Sequence, residues 1–130
     1  MTEGVGVTIL VIEDEMLIRE LVEVALTEGG FVVEAASDGA DALRRIEADP
    51  TRFRALVTDI RLGSRPDGWH IAERARELVP HMPVVYMSGD SAPDWHSKGV
   101  PHSVMVSKPF APTQIVTAVA SVINSEGATG

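Results

Sequence analysis

Thr8-Ile9-Leu10-Val11-Ile12-Glu13-Asp14 is the stretch on which the fold turns. Ile9 to Ile12 is a continuous β-branched and aliphatic run, with no polar residue at every second place. A strand of that kind is buried on both faces, which is the habit of parallel sheets covered by helices. The run stops abruptly in two carboxylates. The same grammar recurs three times. Ala55-Leu56-Val57-Thr58 ends in Asp59, Pro83-Val84-Val85-Tyr86-Met87 ends in Ser88, and Ser103-Val104-Met105-Val106-Ser107 ends in Lys108, followed by Pro109-Phe110. If the runs are parallel strands, all these polar groups gather at one edge of one sheet.

Helical spacing fills the intervals. Leu17, Leu21 and Ala25, with Ile18 and Val22, form one stripe, stopped by Gly29-Gly30. Phe31 to Ala35 reads as a second strand. Ser37 or Asp38 can cap a helix carrying Ala42, Leu43 and Ile46, which ends near Asp49-Pro50. Strand three is Arg54 to Thr58. Asp67 can cap a third helix with Ile71, Ala72, Ala75, Leu78 and Val79 on one face, ended by Pro80. Strand four is Pro83 to Met87. Gly89 to His102 holds Pro93, Gly99 and Pro101, so only about one or two helical turns fit there. Strand five is Ser103 to Val106. Pro112 suits the first turn of a last helix with Ile115, Val116, Val119, Val122 and Ile123 as its stripe. The outcome is (βα)5, an α/β parallel sheet with helices on both faces. Ligands in such sheets bind beyond the carboxyl ends of the strands, where strand order reverses.

The chain of 130 residues suits one domain, expected over 1–124, with a frayed tail over 125–130. At 45 % apolar residues it can bury a real core. No stretch approaches the roughly 20 apolar residues that cross a bilayer, and Met1 to Gly6 lacks the basic and apolar regions of a signal peptide. The absence of cysteine excludes disulfides, thiol catalysis and cysteine-ligated metal, and fits a cytoplasmic protein. A net charge of −8 disfavours nucleic acid, which needs Lys and Arg to displace counterions. Arg44, Arg45, Arg52 and Arg54 cluster, and read as a solvated helix end and loop. His70, His81, His96 and His102 lack metal spacing. Trp69 and Trp95 read as packing residues in preference to partner contacts.

Three carboxylates packed together repel one another, and without a cation one or more would hold a proton. A hard divalent ion removes the conflict. Mg²⁺ takes oxygen ligands, usually one or two carboxylates, and leaves positions for phosphate oxygens. Lys108 adds a compact positive charge suited to phosphate, and Ser88 a hydroxyl that can donate to a phosphoryl oxygen. Asp59 then reads as a nucleophile that becomes an aspartyl phosphate. Positioning and charge stabilisation would do most of the work.

These residues make the chain resemble a response-regulator receiver domain of two-component signalling, over about Val7 to Ile123. The matching motifs are Ile-Leu-Val-Ile-Glu-Asp-Glu (9–15), Val-Thr-Asp-Ile (57–60), Asp-Gly (67–68), Met-Ser-Gly (87–89) and Ser-Lys-Pro-Phe (107–110). Each is weak alone; in this order and on these elements they are specific. The resemblance implies the flavodoxin-like strand order 2-1-3-4-5. It implies that Asp59 accepts a phosphoryl group from a phosphohistidine on a sensor kinase or phosphotransfer protein. Asp14 would be the direct Mg²⁺ ligand, Glu13 would act through water, and the backbone carbonyl of Arg61 would supply a further ligand. Ser88 would move toward the phosphoryl group, Gly89 would leave it access, and Lys108 would bridge to it. The Lys108–Pro109 bond is expected to be cis, aiming the lysine inward.

The chain departs from the family pattern in four places. Met105 stands where many receivers carry a switching Tyr or Phe, so the coupling of hydroxyl movement to aromatic rotation is absent or rebuilt. The loop Arg61-Leu62-Gly63-Ser64-Arg65-Pro66 is one residue longer than common and lacks the usual Met-Pro pair. The weak fourth helix alters a face many relatives use for dimers or targets. Arg61 and Asp90, of opposite charge, flank the site and could screen attacking water. Taken singly, Asp59 could instead cap a loop, Glu13-Asp14 could merely cap the first helix, and Lys108 could be a surface lysine. The expected function is a stand-alone regulator, a switch or phosphate shuttle acting through protein contacts, and not a metabolic enzyme. Its rivals are a pseudo-receiver that binds without phosphorylation, and an aspartate-nucleophile phosphatase. The latter class carries a second acid two residues after the nucleophile, where this chain has Arg61.

Overall fold

The structure, a computed structural model, describes residues 7–63 and 65–129, the side chains of 92 and 125–129 excepted. Five parallel strands, β1 (Thr8–Ile12), β2 (Val32–Ala36), β3 (Phe53–Asp59), β4 (Val84–Ser88) and β5 (Val104–Ser107), form one sheet in the order β2-β1-β3-β4-β5. The helices are α1 (Met16–Glu28), α2 (Gly39–Ala48), α3 (Gly68–Leu78), α4 (Trp95–Lys98) and α5 (Pro112–Thr129). This is the doubly wound arrangement expected from the alternation. Among the described residues no helix is long and apolar enough to cross a membrane. The reading of Met1 to Gly6 lies outside the described residues. The backbone of α5 continues to Thr129, beyond the boundary placed at residue 124, and Gly130 lies outside the description.

Alternation along the strands sorts the core into two layers. Leu10, Ile12, Leu56 and Tyr86 pack with Ile46, Ile71 and Ala75 on the α2–α3 side. Ile9, Val11, Val57, Val85 and Met87 pack with Leu26, Ile115 and Val119 on the α1–α5 side. Burying each large aliphatic side chain stabilises the fold by about 1.5–3 kcal/mol before conformational entropy is subtracted. The caps form as the sequence suggests: Asp38 accepts from the Asp41 amide at 2.8 Å, and Asp67 from that of His70 at 3.0 Å.

The strand ends differ from the sequence reading by a residue or so. Thr8, Phe53, Asp59, Ser88, Ser107 and Ala36 all join the ladder, whereas Phe31, Pro83 and Ser103 stand just outside it. Polar residues at strand ends read as loop chemistry, yet their backbones still pair. The fourth helix is a single four-residue turn preceded by a 3-10 turn at Ala92–Asp94, as Pro93, Gly99 and Pro101 dictate. Trp69 is buried and its ring lies 4.8 Å from that of Tyr86, which bears out a packing role. Trp95 is half-buried and donates from Nε1 to Ser103 Oγ at 2.9 Å. Three of the four clustered arginines are paired locally, Arg44 with Asp41, Arg45 with Asp41 and Glu34, and Arg52 with Glu34, while Arg54 stands exposed on β3. All four histidines are exposed.

Candidate functional site

Register brings the strand-end groups into one row. Ile12 pairs with Thr58 and Asp59 with Met87, while Ser88 pairs with Ser107. The residues that follow, Glu13 and Lys108, therefore flank Asp59 and Ser88 at the carboxyl edge. A backbone bond from the Lys108 amide to the Ser88 carbonyl, 2.8 Å, ties the last two strands together there.

Glu13, Asp14 and Asp59 each place a carboxylate oxygen within 4.8 Å of the others. Lys108 Nζ lies 3.0 Å from Glu13 Oε1, 3.3 Å from Asp59 Oδ2 and 3.8 Å from Glu15 Oε1. The convergence expected from the sequence is present. Its members are not equivalent. Glu13 is fully buried and its other oxygen accepts from the Glu15 amide at 3.1 Å. Asp59 is 6 % exposed, with Oδ1 accepting from the Ile60 amide at 2.8 Å. Asp14 is exposed, and among the described residues its carboxylate takes no hydrogen bond. The free carboxylate is the one expected to ligate directly.

Burial dominates the electrostatics. It raises Glu13 from 4.5 to about 7, with the charge of Asp59 adding to it against the opposing bonds from Glu15 and Lys108. Burial also raises Asp59, less the relief supplied by Lys108. For Lys108 burial alone would lower the pKa, but the bond to Glu13 and the charge of Asp59 outweigh it, and the group is held protonated. Without a cation the cluster retains a proton near neutrality. Carboxylates of this kind, all oxygen and one-sided in charge, fit a hard divalent ion.

Ser88 is buried, and its Oγ accepts from the amides of Asp90 at 3.2 Å and Ser91 at 2.6 Å. Both lone pairs are thus engaged, and the hydroxyl proton is left to donate elsewhere. Arg61 Nε pairs with Asp90 Oδ1 at 3.1 Å, both side chains largely exposed. Gly68 abuts Asp59 directly: a Cβ there would overlap the Asp59 carbonyl oxygen. The Lys108–Pro109 bond is cis, as expected, and so is Arg65–Pro66. Met105 is half-buried beside its register partner Tyr86.

Sequence reasoning missed four contributors. Glu15 stands against Lys108, and Ser91 holds the Ser88 hydroxyl. Arg19 donates from Nη1 to the Glu13 carbonyl at 2.9 Å, and Gly63 leaves room beside Asp14. Ser88 itself, a residue type whose hydroxyl commonly accepts from amides two or three places on, could have exposed the second, since it is the Ser91 backbone amide that donates; Arg19 reads in sequence as an ordinary helix-surface residue.

The acid-rich, lysine-bearing cluster lies at the carboxyl edge of a doubly wound sheet, at the switch point where such folds bind their ligands. Residues 9–120 match the response regulator receiver domain family, and the chain belongs to that family. It is 30 % identical over 119 residues to the response regulator receiver protein CpdR of Brucella abortus, covering 88 % of this chain and 95 % of that protein. It is 32 % identical to the transcriptional regulatory protein PrrA of Mycobacterium leprae, covering 93 % of this chain but 52 % of PrrA. The chain spans about half the length of several curated relatives it matches. A response regulator receiver protein from Sinorhizobium medicae superposes with a TM-score of 0.89 at 43 % identity, over 92 % of this chain and 96 % of that one. A receiver domain protein from Clostridium thermocellum, at 24 % identity and TM-score 0.84 over 95 % and 99 %, shares the fold.

Proposed function

We propose that this receiver accepts a phosphoryl group from a phosphohistidine onto Asp59 in a Mg²⁺-dependent histidine–aspartate relay. It would act in the cytoplasm, as a single-domain switch or phosphate shuttle, through contacts with other proteins. The observation that carries the reading is the contact set of Lys108 with Glu13 and Asp59 beside the open carboxylate of Asp14. Near-complete coverage of CpdR supports the single-domain form.

In the transfer, the N–P bond of the donor breaks as an O–P bond forms to an Asp59 carboxylate oxygen. The imidazole leaves with the electron pair and takes up a proton. Asp59 is held for this by the Ile60 amide, which leaves Oδ2 on the Lys108 side. Lys108 neutralises charge on the acceptor and then on the phosphoryl oxygens. Ser88, its acceptor capacity filled by two amides, offers its proton to the phosphoryl group. Asp14, Glu13 through water, Asp59 and the Arg61 carbonyl would hold Mg²⁺, whose contribution is to offset the negative charge of acceptor and phosphoryl group. The residues catalyse only the gain and loss of this one group, so the protein is a regulator.

The donor must bury the rim of the site. Met16 and Leu17 lie 56 % and 77 % exposed at the start of α1, with Leu21 and Val24 also exposed. This apolar face beside Asp14 suits a helical histidine kinase or phosphotransfer protein. The test is phosphoryl transfer from radiolabelled histidine kinases with Mg²⁺, beside Asp59→Asn. Label retained by Asp59→Asn, or none gained by the parent protein from any kinase or small phosphodonor, refutes the reading. A pseudo-receiver would likewise give no saturable beryllofluoride response.

A further inference from the structure

We propose that Arg19 is a positioning residue for the cation site, holding in place the peptide that joins Glu13 to Asp14. This rests on the function proposed above and concerns a residue that touches neither cation nor phosphoryl group.

The segment carrying the acidic pair is held unevenly. Glu13 is anchored at its amide by the Ala36 carbonyl, 3.1 Å, and at its side chain by Lys108 and the Glu15 amide. Asp14 has no such anchor: it is exposed, and among the described residues nothing donates to its carboxylate. The N-cap of α1 is Glu15, whose side chain makes no capping bond, and the first turn contains no acidic residue. The usual devices that fix a loop to a helix start are therefore missing where mutually repelling acids would spread it.

Arg19 supplies the tie. From the first turn of α1 its Nη1 donates to the Glu13 carbonyl at 2.9 Å, the oxygen of the very peptide whose nitrogen belongs to Asp14. Its side chain is only 20 % exposed. The bond is charge-assisted and spans the loop, so it sets the plane of that peptide and with it the direction in which Asp14 leaves the chain. Gly63, at φ 73°, carries no Cβ; one built there would sit 3.2 Å from Asp14 Oδ2. Asp14 is thus placed by its backbone, which Arg19 ties down, with the bare Gly63 leaving room for its carboxylate. Outer groups that orient metal ligands typically account for about 10–100-fold in metal affinity.

The bland alternative is a helix-surface ion pair, since Arg19 Nε also lies 4.0 Å from Glu23 Oε2. The two are separable. In Arg19→Gln, Mg²⁺ measured calorimetrically on unphosphorylated protein binds about tenfold more weakly. The Mg²⁺ concentration for half-maximal phosphorylation by acetyl phosphate rises by the same factor, while the rate at saturating Mg²⁺ is retained. Arg19→Lys, able to donate to the same carbonyl, recovers part of the affinity, and Glu23→Gln leaves it unchanged. Unaltered Mg²⁺ affinity in Arg19→Gln, or an equal loss in Glu23→Gln, overturns the proposal. Parent protein that binds no Mg²⁺ instead defeats the function on which it rests.

Discussion

Replacing Lys108 by Ala removes the cation that touches two buried carboxylates, and the consequence is a change in how stability depends on pH. In the parent protein without Mg²⁺, Glu13 is raised from 4.5 to about 7. A group raised on folding contributes stability that is complete below its unfolded pKa and lost as pH climbs through the folded one. Full burial leaves little solvent screening, so the loss between 4.5 and about 7 amounts to roughly 3 kcal/mol at 1.36 kcal/mol per unit, after which the contribution levels off. Lys108 lowers the pKa of both Glu13 and Asp59, so its removal drives both upward. Its own pKa, raised above 10.5, adds only a constant offset below that range. Stability of Lys108→Ala therefore keeps falling above neutrality, by about 1.4 kcal/mol per pH unit for each acid still protonated. The assay is urea unfolding followed by tryptophan fluorescence in chelator, from about pH 5 to about pH 9. Profiles of variant and parent that run parallel above about pH 7 would refute the reasoning, because Lys108 would then not be relieving the buried acids.

Three further outcomes follow from the same structure. If the Arg61–Asp90 pair screens phosphorylated Asp59 from water, Arg61→Ala should speed loss of the phosphoryl group several-fold; an unchanged decay rate disposes of the screening role. Tyr86→Phe leaves the buried Val100 amide without its 3.1 Å acceptor and costs about 1–3 kcal/mol in urea unfolding. Burial foremost lifts Tyr86 from 10.0 to about 12, so stability that is complete below 10 is lost toward 12, and the Phe variant should not show that alkaline fall. If Mg²⁺ binds as proposed and favours ionised Glu13, whose pKa is raised to about 7, affinity measured calorimetrically should weaken as pH falls below that value, by at most about tenfold per unit; a constant affinity across it contradicts the coupling of cation and proton.

The alternation of strands and helices is written in local apolar runs, which is why the layer order can be read before any coordinates. Asp59, Ser88 and Lys108 stand out because each terminates such a run, and a parallel sheet brings run-ends together. The short α4 was equally plain, since prolines and a glycine limit it from within the segment itself. What escaped reading depends on partners distant in sequence or on spatial clearance. Nothing local in Tyr86 announces a bond to Val100, and Trp69 reveals its neighbour only when α3 lies on β4. Gly63 matters through the room it leaves beside Asp14, and a glycine in a loop carries no mark of what it faces. Strand limits slipped at Asp59 and Ser88 because side-chain polarity and backbone pairing are independent there.

The contact between Gly68 and the Asp59 carbonyl has a consequence for anyone redesigning this protein. Helix α3 is mounted flush against the backbone of Asp59, with clearance for a hydrogen atom and nothing larger. The mounting point itself cannot accept even a methyl group. Variation meant to tune the site belongs at Arg61 and Asp90, where solvent gives room, because any side chain at position 68 would shove Asp59 out of line.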